Sequence, residues 1–132
     1  LRLRPPAPMF MRCLQNDLKM GKYTVPKDAT VLVPIILIHT NEKVYKDPYT
    51  YNPENFNGKK SEKRHPYDFI PFSAGPRNCL GQKFAMLEDK VILSWFLRRF
   101  RVTTTSKFHD NEPCLDIVLK PKLGFVMTLE RV

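Results

Sequence analysis

The clearest periodicity lies between Cys79 and Phe100, "CLGQKFAMLEDKVILSWFLRRF", which contains no proline and one glycine, Gly81, near its start. Apolar residues at 80, 84, 87, 91 and 95 recur with four-three-four-four spacing, and those at 92, 93, 96 and 97 widen the stripe. This period predicts one long helix over 79–100 with a broad apolar face. Arg98, Arg99 and Arg101 fall at its end, where the negative pole of the helix dipole favours cations.

Elsewhere the runs are shorter. "LRLRPPAPMF", residues 1–10, holds three prolines, which forbid a continuing helix and favour an extended path. In "DLKMGKYTVPKDATVLVPIILIHT", β-branched runs separated by Gly21-Lys22 and Pro26-Lys27-Asp28 predict a small antiparallel hairpin and another strand. "IILIH" is too short for its period to decide between one helical turn and a buried strand end. Residues 41–71 carry charge, proline and aromatics without a sustained period and read as a meandering loop; loops that long usually have a job. After the helix, "RVTTT" reads as a strand, and "LDIVLK" and "FVMTLE" as a hairpin turning at Pro121 to Gly124.

Composition narrows the class. At 132 residues and 42% hydrophobic, the chain has material for one small core and hardly two. A net charge of +9 attracts an acidic partner, a nucleic acid or an anionic membrane surface without choosing between them. Cys13, Cys79 and Cys114 are too few and too far apart for a disulfide framework or a paired zinc site, and read as reduced thiols. No apolar run approaches the roughly 20 residues of a membrane span, and the first residues lack the apolar stretch of a signal peptide. The absence of an initiator methionine and the opening in mid-pattern read as a fragment of a longer chain.

The chemistry concentrates in "FSAGPRNCLG", residues 72–81, where a glycine-bearing loop runs into the predicted helix. Unpartnered backbone N–H groups and the dipole favour an anion at a helix start, so Cys79 suits a thiolate that is either a nucleophile or a metal ligand. Nucleophilic catalysis calls for a histidine base, and His39, His65 and His109 show no signature that brings one to the cysteine. Zinc calls for several converging thiolates or imidazoles, and neither CxxC nor HxxxH occurs. A metal bound by one protein atom fits better, and haem iron meets that condition because the porphyrin supplies four nitrogens. Gly75 and Gly81 then let the backbone lie against a planar group and permit positive φ. Arg77 offers a fork to a propionate, Phe72 shields the sulfur, and loop N–H groups donate to it. A lone cysteine in a Gly/Pro loop is also what an ordinary buried thiol looks like.

The full pattern is what favours haem. Phe72-x-x-Gly75-x-Arg77-x-Cys79-x-Gly81 resembles the FxxGxRxCxG haem-binding signature of the cytochrome P-450 superfamily at all five fixed positions, a chance match of about one in a few million per window. "FSAGPRNCLGQKFAMLEDKVIL" and "RHPYDFIPFSAGPRN" further resemble family 4, on its invertebrate side, and the resemblance runs the whole chain.

The resemblance implies a fold class: an α+β C-terminal fragment of the mainly α cytochrome P-450 fold. Its parts are a β-rich segment over 1–40, the meander loop 41–71, the haem-binding loop 72–81, the long helix and C-terminal strands over 101–132. It implies haem b (iron protoporphyrin IX) with Cys79 as axial ligand and sole catalytic residue, Arg77 as a propionate contact, Phe72 over the sulfur, and Gly75 and Gly81 as loop glycines. "LRLRPPAP" resembles the end of the ExxR motif with Arg2 as its arginine and the glutamate expected two positions before Leu1. "NPENF" resembles the PERF segment that completes a Glu-Arg-Arg network; Glu54 keeps its place, but Asn55 stands where the usual arginine would, a departure shared with some invertebrate relatives. Pro8, Met9, Phe10 and Leu123 correspond to substrate-touching places, with plain strand and turn packing an equal reading.

The implied activity is insertion of one oxygen atom of O2 into a lipophilic substrate, such as fatty-acid ω-hydroxylation or xenobiotic, sterol or hormone oxidation. Electrons would come from NADPH through a flavoprotein reductase, drawn to Lys83, Lys90, Arg98, Arg99 and Arg101, with cytochrome b5 a second candidate donor. Membrane anchor, oxygen-activating helix and most of the substrate pocket are expected upstream, at the cytoplasmic face of the endoplasmic reticulum (microsomal). Two other readings remain at this stage: a truncated, non-catalytic product, and a basic nucleic-acid-binding module, against which the absence of an RNP, zinc-finger or helix-turn-helix pattern speaks.

Overall fold

The computed structural model describes residues 1–107 and 110–132, with nothing said of the side chains of Lys60 and Ser61; His109 lies outside the described residues. The backbone divides into two units, Leu1–Ser73 and Ala74–Val132.

In the first unit, strand β1 (Phe10–Cys13) pairs antiparallel with β4 (Thr30–Val33), in a register that sets Phe10 opposite Val33 and Cys13 opposite Thr30. Between them β2 (Leu18–Met20) and β3 (Tyr23–Val25) form the expected hairpin. Its loop is two residues long and opens on Gly21 at φ +60, the conformation such a short turn requires. β4 is the expected further strand. Its partner β1 was legible only as an extended run, because a strand edge beside prolines carries little alternation.

After Pro34 the run "IILIH" is the helical turn α1 (Ile35–His39), and the Ile36 N–H donates to the Pro8 carbonyl at 3.1 Å. Ile35 and His39, four apart on one helix face, are both buried. The 41–71 segment is less featureless than its sequence: it holds 3-10 turns at Pro53–Phe56 and Pro66–Asp68 and the one-turn helix α2 (Gly58–Ser61). Each 3-10 turn begins with a side-chain cap and a proline, local chemistry that hydrophobic periodicity does not detect. Its buried centre is Tyr45, 0% exposed, together with Asn55 and Ile70.

The second unit carries the long helix α3, Gln82–Leu97, shorter than the predicted 79–100. Gly81 is its N-cap, and Phe100, at the far end, is already in strand β5 (Phe100–Thr103), so sheet pairing takes residues that propensity would leave helical. β5 pairs antiparallel with β8 (Thr128–Arg131), and β6 (Pro113–Leu115) pairs with β7 (Leu119–Pro121). The predicted hairpin turning at Pro121 to Gly124 is therefore corrected. A turn exists there, with the Gly124 N–H on the Pro121 carbonyl at 3.2 Å, but its flanks do not pair with each other. The run "LDIVLK" instead bends at its centre, closing Leu115 onto Leu119, with Lys120 and Asp116 joined at 2.9 Å. The tail turn is held by Asn111, whose Oδ1 accepts from the Leu123 N–H at 3.0 Å while its Nδ2 donates to the Gly124 carbonyl at 2.6 Å.

Candidate functional site

The cysteine loop is built by a turn. Gly75 takes φ +79, and the Asn78 N–H donates to its carbonyl at 3.1 Å, so the chain reverses across Pro76 and Arg77 before Cys79. An L-residue pays for that φ, whereas a Cβ at Gly75 would meet nothing within 4 Å. Gly81 differs from expectation in having an ordinary φ of −81. A Cβ there would stand 3.9 Å from Cys79 Sγ, an ordinary van der Waals contact.

Cys79 lies ahead of the first helical residue: its carbonyl accepts from the Gln82 N–H at 3.4 Å, and the Gly81 carbonyl accepts the Ala85 N–H at 2.9 Å. The thiol is exposed, as is Arg77. Among the described residues no N–H donates to Cys79 Sγ, and no three His, Cys, Asp or Glu side chains gather as a metal-sized group. Phe72 belongs to the first unit, where it lies half-buried between Pro71 and Ser73, themselves joined by an isolated bridge.

A second constellation lies in the first unit, around Tyr45. Arg2 is 5% exposed, and its guanidinium donates to the carbonyls of His39 (3.0 Å), Pro48 and Thr50 (2.7 Å). Three carbonyls give a buried cation much of the solvation that burial removes. Its Cζ stands 4.9 Å from the Tyr45 ring centroid. Arg64 stands over the same ring at 4.6 Å and over Phe56 at 5.4 Å, and donates to the Asn55 carbonyl. Burial lowers the Arg2 pKa, and the charge of Arg64 acts in the same direction. Burial raises the Tyr45 phenol pKa against the opposing pull of both guanidinium groups; its hydroxyl donates to the Asp68 carbonyl at 3.0 Å.

His39 closes this cluster. Nε2 accepts the Ile70 N–H at 2.9 Å, the ring tilts against Phe69 at 5.0 Å, and Nδ1 is buried without a partner. Nε2 as acceptor makes the ring neutral with its proton on Nδ1. Burial pushes its pKa down to about 4. His65 has a local role: its Nδ1 accepts the Tyr67 N–H at 3.2 Å and the Asp68 carboxylate accepts the His65 N–H at 3.2 Å, capping a 3-10 turn.

Of the other sequence candidates, Glu54 is exposed and engages Asn57 Nδ2 at 3.0 Å, away from the Arg2 carbonyl set. Asn55 is buried with Nδ2 unpartnered. Pro8 is buried and anchors α1, Met9 is 38% exposed, and Phe10 opens β1 under the Arg12 guanidinium at 4.8 Å. Leu123 is exposed in the tail turn of the second unit. Sequence reasoning missed Arg64, Tyr45 and His39 as a cluster with Arg2, because the contacts span 37 to 48 residues and no short motif encodes them.

These geometries can be set beside known proteins. A family model described as Cytochrome P450 matches residues 1–128. The chain is 46% identical over 132 residues to Cytochrome P450 4g15 of Drosophila melanogaster, covering 98% of this chain and 23% of that protein. It is 40% identical over 131 residues to Cytochrome P450 4V2 of Mus musculus (99% and 25%) and 43% over 131 residues to Cytochrome P450 4F8 of Homo sapiens (98% and 25%). The chain thus spans about a quarter of the length of the curated relatives it matches. With the family match running from the buried Arg2 through the cysteine loop and α3 to the last strand, the chain belongs to the cytochrome P450 family.

Proposed function

We propose that this chain carries the thiolate side of a haem-dependent monooxygenase, with Cys79 as axial ligand to haem b. The observation that supports it best is the exposed Cys79 thiol on a loop turned by Gly75 at φ +79, next to a glycine whose Cβ would approach the sulfur. A single thiol with open space beside it suits a metal whose remaining in-plane ligands come from a porphyrin. Arg77 would hold a propionate and Phe72 would shield the sulfur, while loop N–H groups would moderate its donation. When bound, thiolate-ligated haem supplies the oxygen activation needed to insert one atom of O2 into an unactivated C–H bond.

Family membership supports a reductase partner delivering NADPH electrons, with cytochrome b5 as an additional donor, and a lipophilic substrate. Fatty-acid ω-hydroxylation is the first activity to assay, followed by xenobiotic and hormone oxidation. Pro8, Met9, Phe10 and Leu123 are the candidate substrate contacts. No described helix is long and apolar enough to cross a membrane; the proposed location is the cytoplasmic face of the endoplasmic reticulum.

The complete chain, expressed with haem supplied and reduced under carbon monoxide, should show a thiolate-type Soret band that Cys79→Ser abolishes. A soluble wild-type protein without that band, or a mutant that retains it, removes Cys79 from the axial position.

A further inference from the structure

We infer that His39 is a positioning residue for the cysteine loop: its imidazole pins Ile70, and Ile70 closes a strained turn at Ser73 from which the loop runs on to Gly75 and Cys79. The observation that carries this is the backbone of Ser73, at φ +63. Three described residues other than glycine have positive φ, and the other two, Asp28 and Asp47, are of a type that tolerates the left-handed region. Serine tolerates it less. The Ser73 side chain does not offset the strain, since its Oγ is buried and, among the described residues, unpartnered. Such a backbone persists only where its surroundings over-determine it.

Those surroundings lead back to His39. The Ser73 N–H donates to the Ile70 carbonyl at 3.0 Å, closing the turn around Pro71 and Phe72. The Ile70 N–H donates to His39 Nε2 at 2.9 Å, so both backbone groups of Ile70 are engaged. Ile70 is 7% exposed, and a buried N–H deprived of its acceptor is strongly unfavourable. Phe69 adds a second restraint, its ring standing 5.0 Å from the imidazole and 4.8 Å from Phe56. His39 is itself fully buried on α1, so the restraint passes from an element 31 residues earlier to the root of the loop.

An ordinary core histidine would also satisfy the Ile70 N–H. The difference lies in Ser73. If His39 holds a strained turn, relieving the strain removes the need for His39, because glycine takes φ +63 unaided.

The test is made on the complete chain, and its first readout rests on the haem-thiolate reading above: the rate at which the reduced carbon monoxide complex loses its thiolate-type Soret band. His39→Leu, which removes the acceptor, should raise that rate at least about tenfold, and His39→Gln, whose Oε1 can replace Nε2, less than about threefold. Adding Ser73→Gly to His39→Leu should recover most of the difference. Equal losses for the leucine and glutamine variants, or no recovery with glycine, would make His39 a plain core residue and overturn the inference. The second readout needs no haem: amide exchange at Ile70 and Ser73 should quicken in His39→Leu at least about tenfold more than exchange in α3. A uniform change along the chain, or none, would overturn it as well. If the wild type shows no thiolate-type band, the haem-thiolate reading fails and the exchange ratio alone decides on His39. If His39→Leu does not fold, His39→Asn, too short to reach Ile70, takes its place in both comparisons.

Discussion

His39 Nε2 accepts the backbone N–H of Ile70 at 2.9 Å, so a helix-end side chain holds the strand-like exit of the meander 31 residues later. The same residue's carbonyl accepts from Arg2. One residue therefore joins three parts of the first unit, its backbone carbonyl holding Arg2 and its imidazole, in the neutral form, holding Ile70.

A pH dependence follows from that form. The His39 pKa falls from the usual value of 6.5 to about 4 on folding, chiefly through burial. The unfolded chain thus takes up a proton near pH 6.5 that the folded chain refuses until about pH 4. The contribution is fully present above pH 6.5 and is lost as pH falls through that window, amounting to at most about 3 kcal/mol. Urea unfolding of the complete chain across the window should show this slope, and His39→Gln should flatten it. An equal slope in the variant would assign the titration to other groups.

Gly75 gives a backbone prediction that needs no steric argument. Its φ is +79 and the space beyond it is open. Gly75→Ala should cost about 1–2 kcal/mol through conformation alone, and Gly75→Asn less, because asparagine tolerates the left-handed region. Haem retention by the complete chain under thermal challenge is the measurement. Identical retention for the alanine variant would show that the turn relaxes to negative φ.

Charge on the second unit predicts a kinetic effect. Lys83, Lys90, Arg98, Arg99 and Arg101 are exposed, and Arg99 stacks on Trp95 at 3.7 Å. If these cations steer an acidic reductase, Lys83→Glu with Arg98→Glu in the complete enzyme should slow association roughly tenfold at low ionic strength and much less at high salt. An unchanged association rate at low salt would remove the proposal and leave a solvated helix face.

The long helix and the first hairpin were legible because their signals are local: a 3.6-residue period over 79–100 and a glycine-led two-residue turn at Gly21. The cysteine loop was legible for another reason. Five residues at fixed spacing carry the family resemblance whatever the surrounding fold. Gly75 took the positive φ that the reading allowed it, while Gly81 did not, because its place at the helix cap requires only an ordinary backbone.

What tertiary structure alone decided lies in long-range pairing. The tail strands choose β5 with β8 and β6 with β7, in place of the neighbouring hairpin that turn chemistry suggested, because register depends on partners outside any sequence window. At the centre of the first unit Tyr45, His39 and Arg2 are buried and Arg64 is half-buried over the tyrosine ring, residue types that no hydrophobic pattern marks as core. Carbonyls from other segments receive the donors of Arg2, Arg64 and Tyr45, and His39 accepts the Ile70 N–H, a satisfaction that exists only once the chain has folded. The sequence by itself determined the family, the helix and the candidate ligand; folding decided which arginines meet over Tyr45.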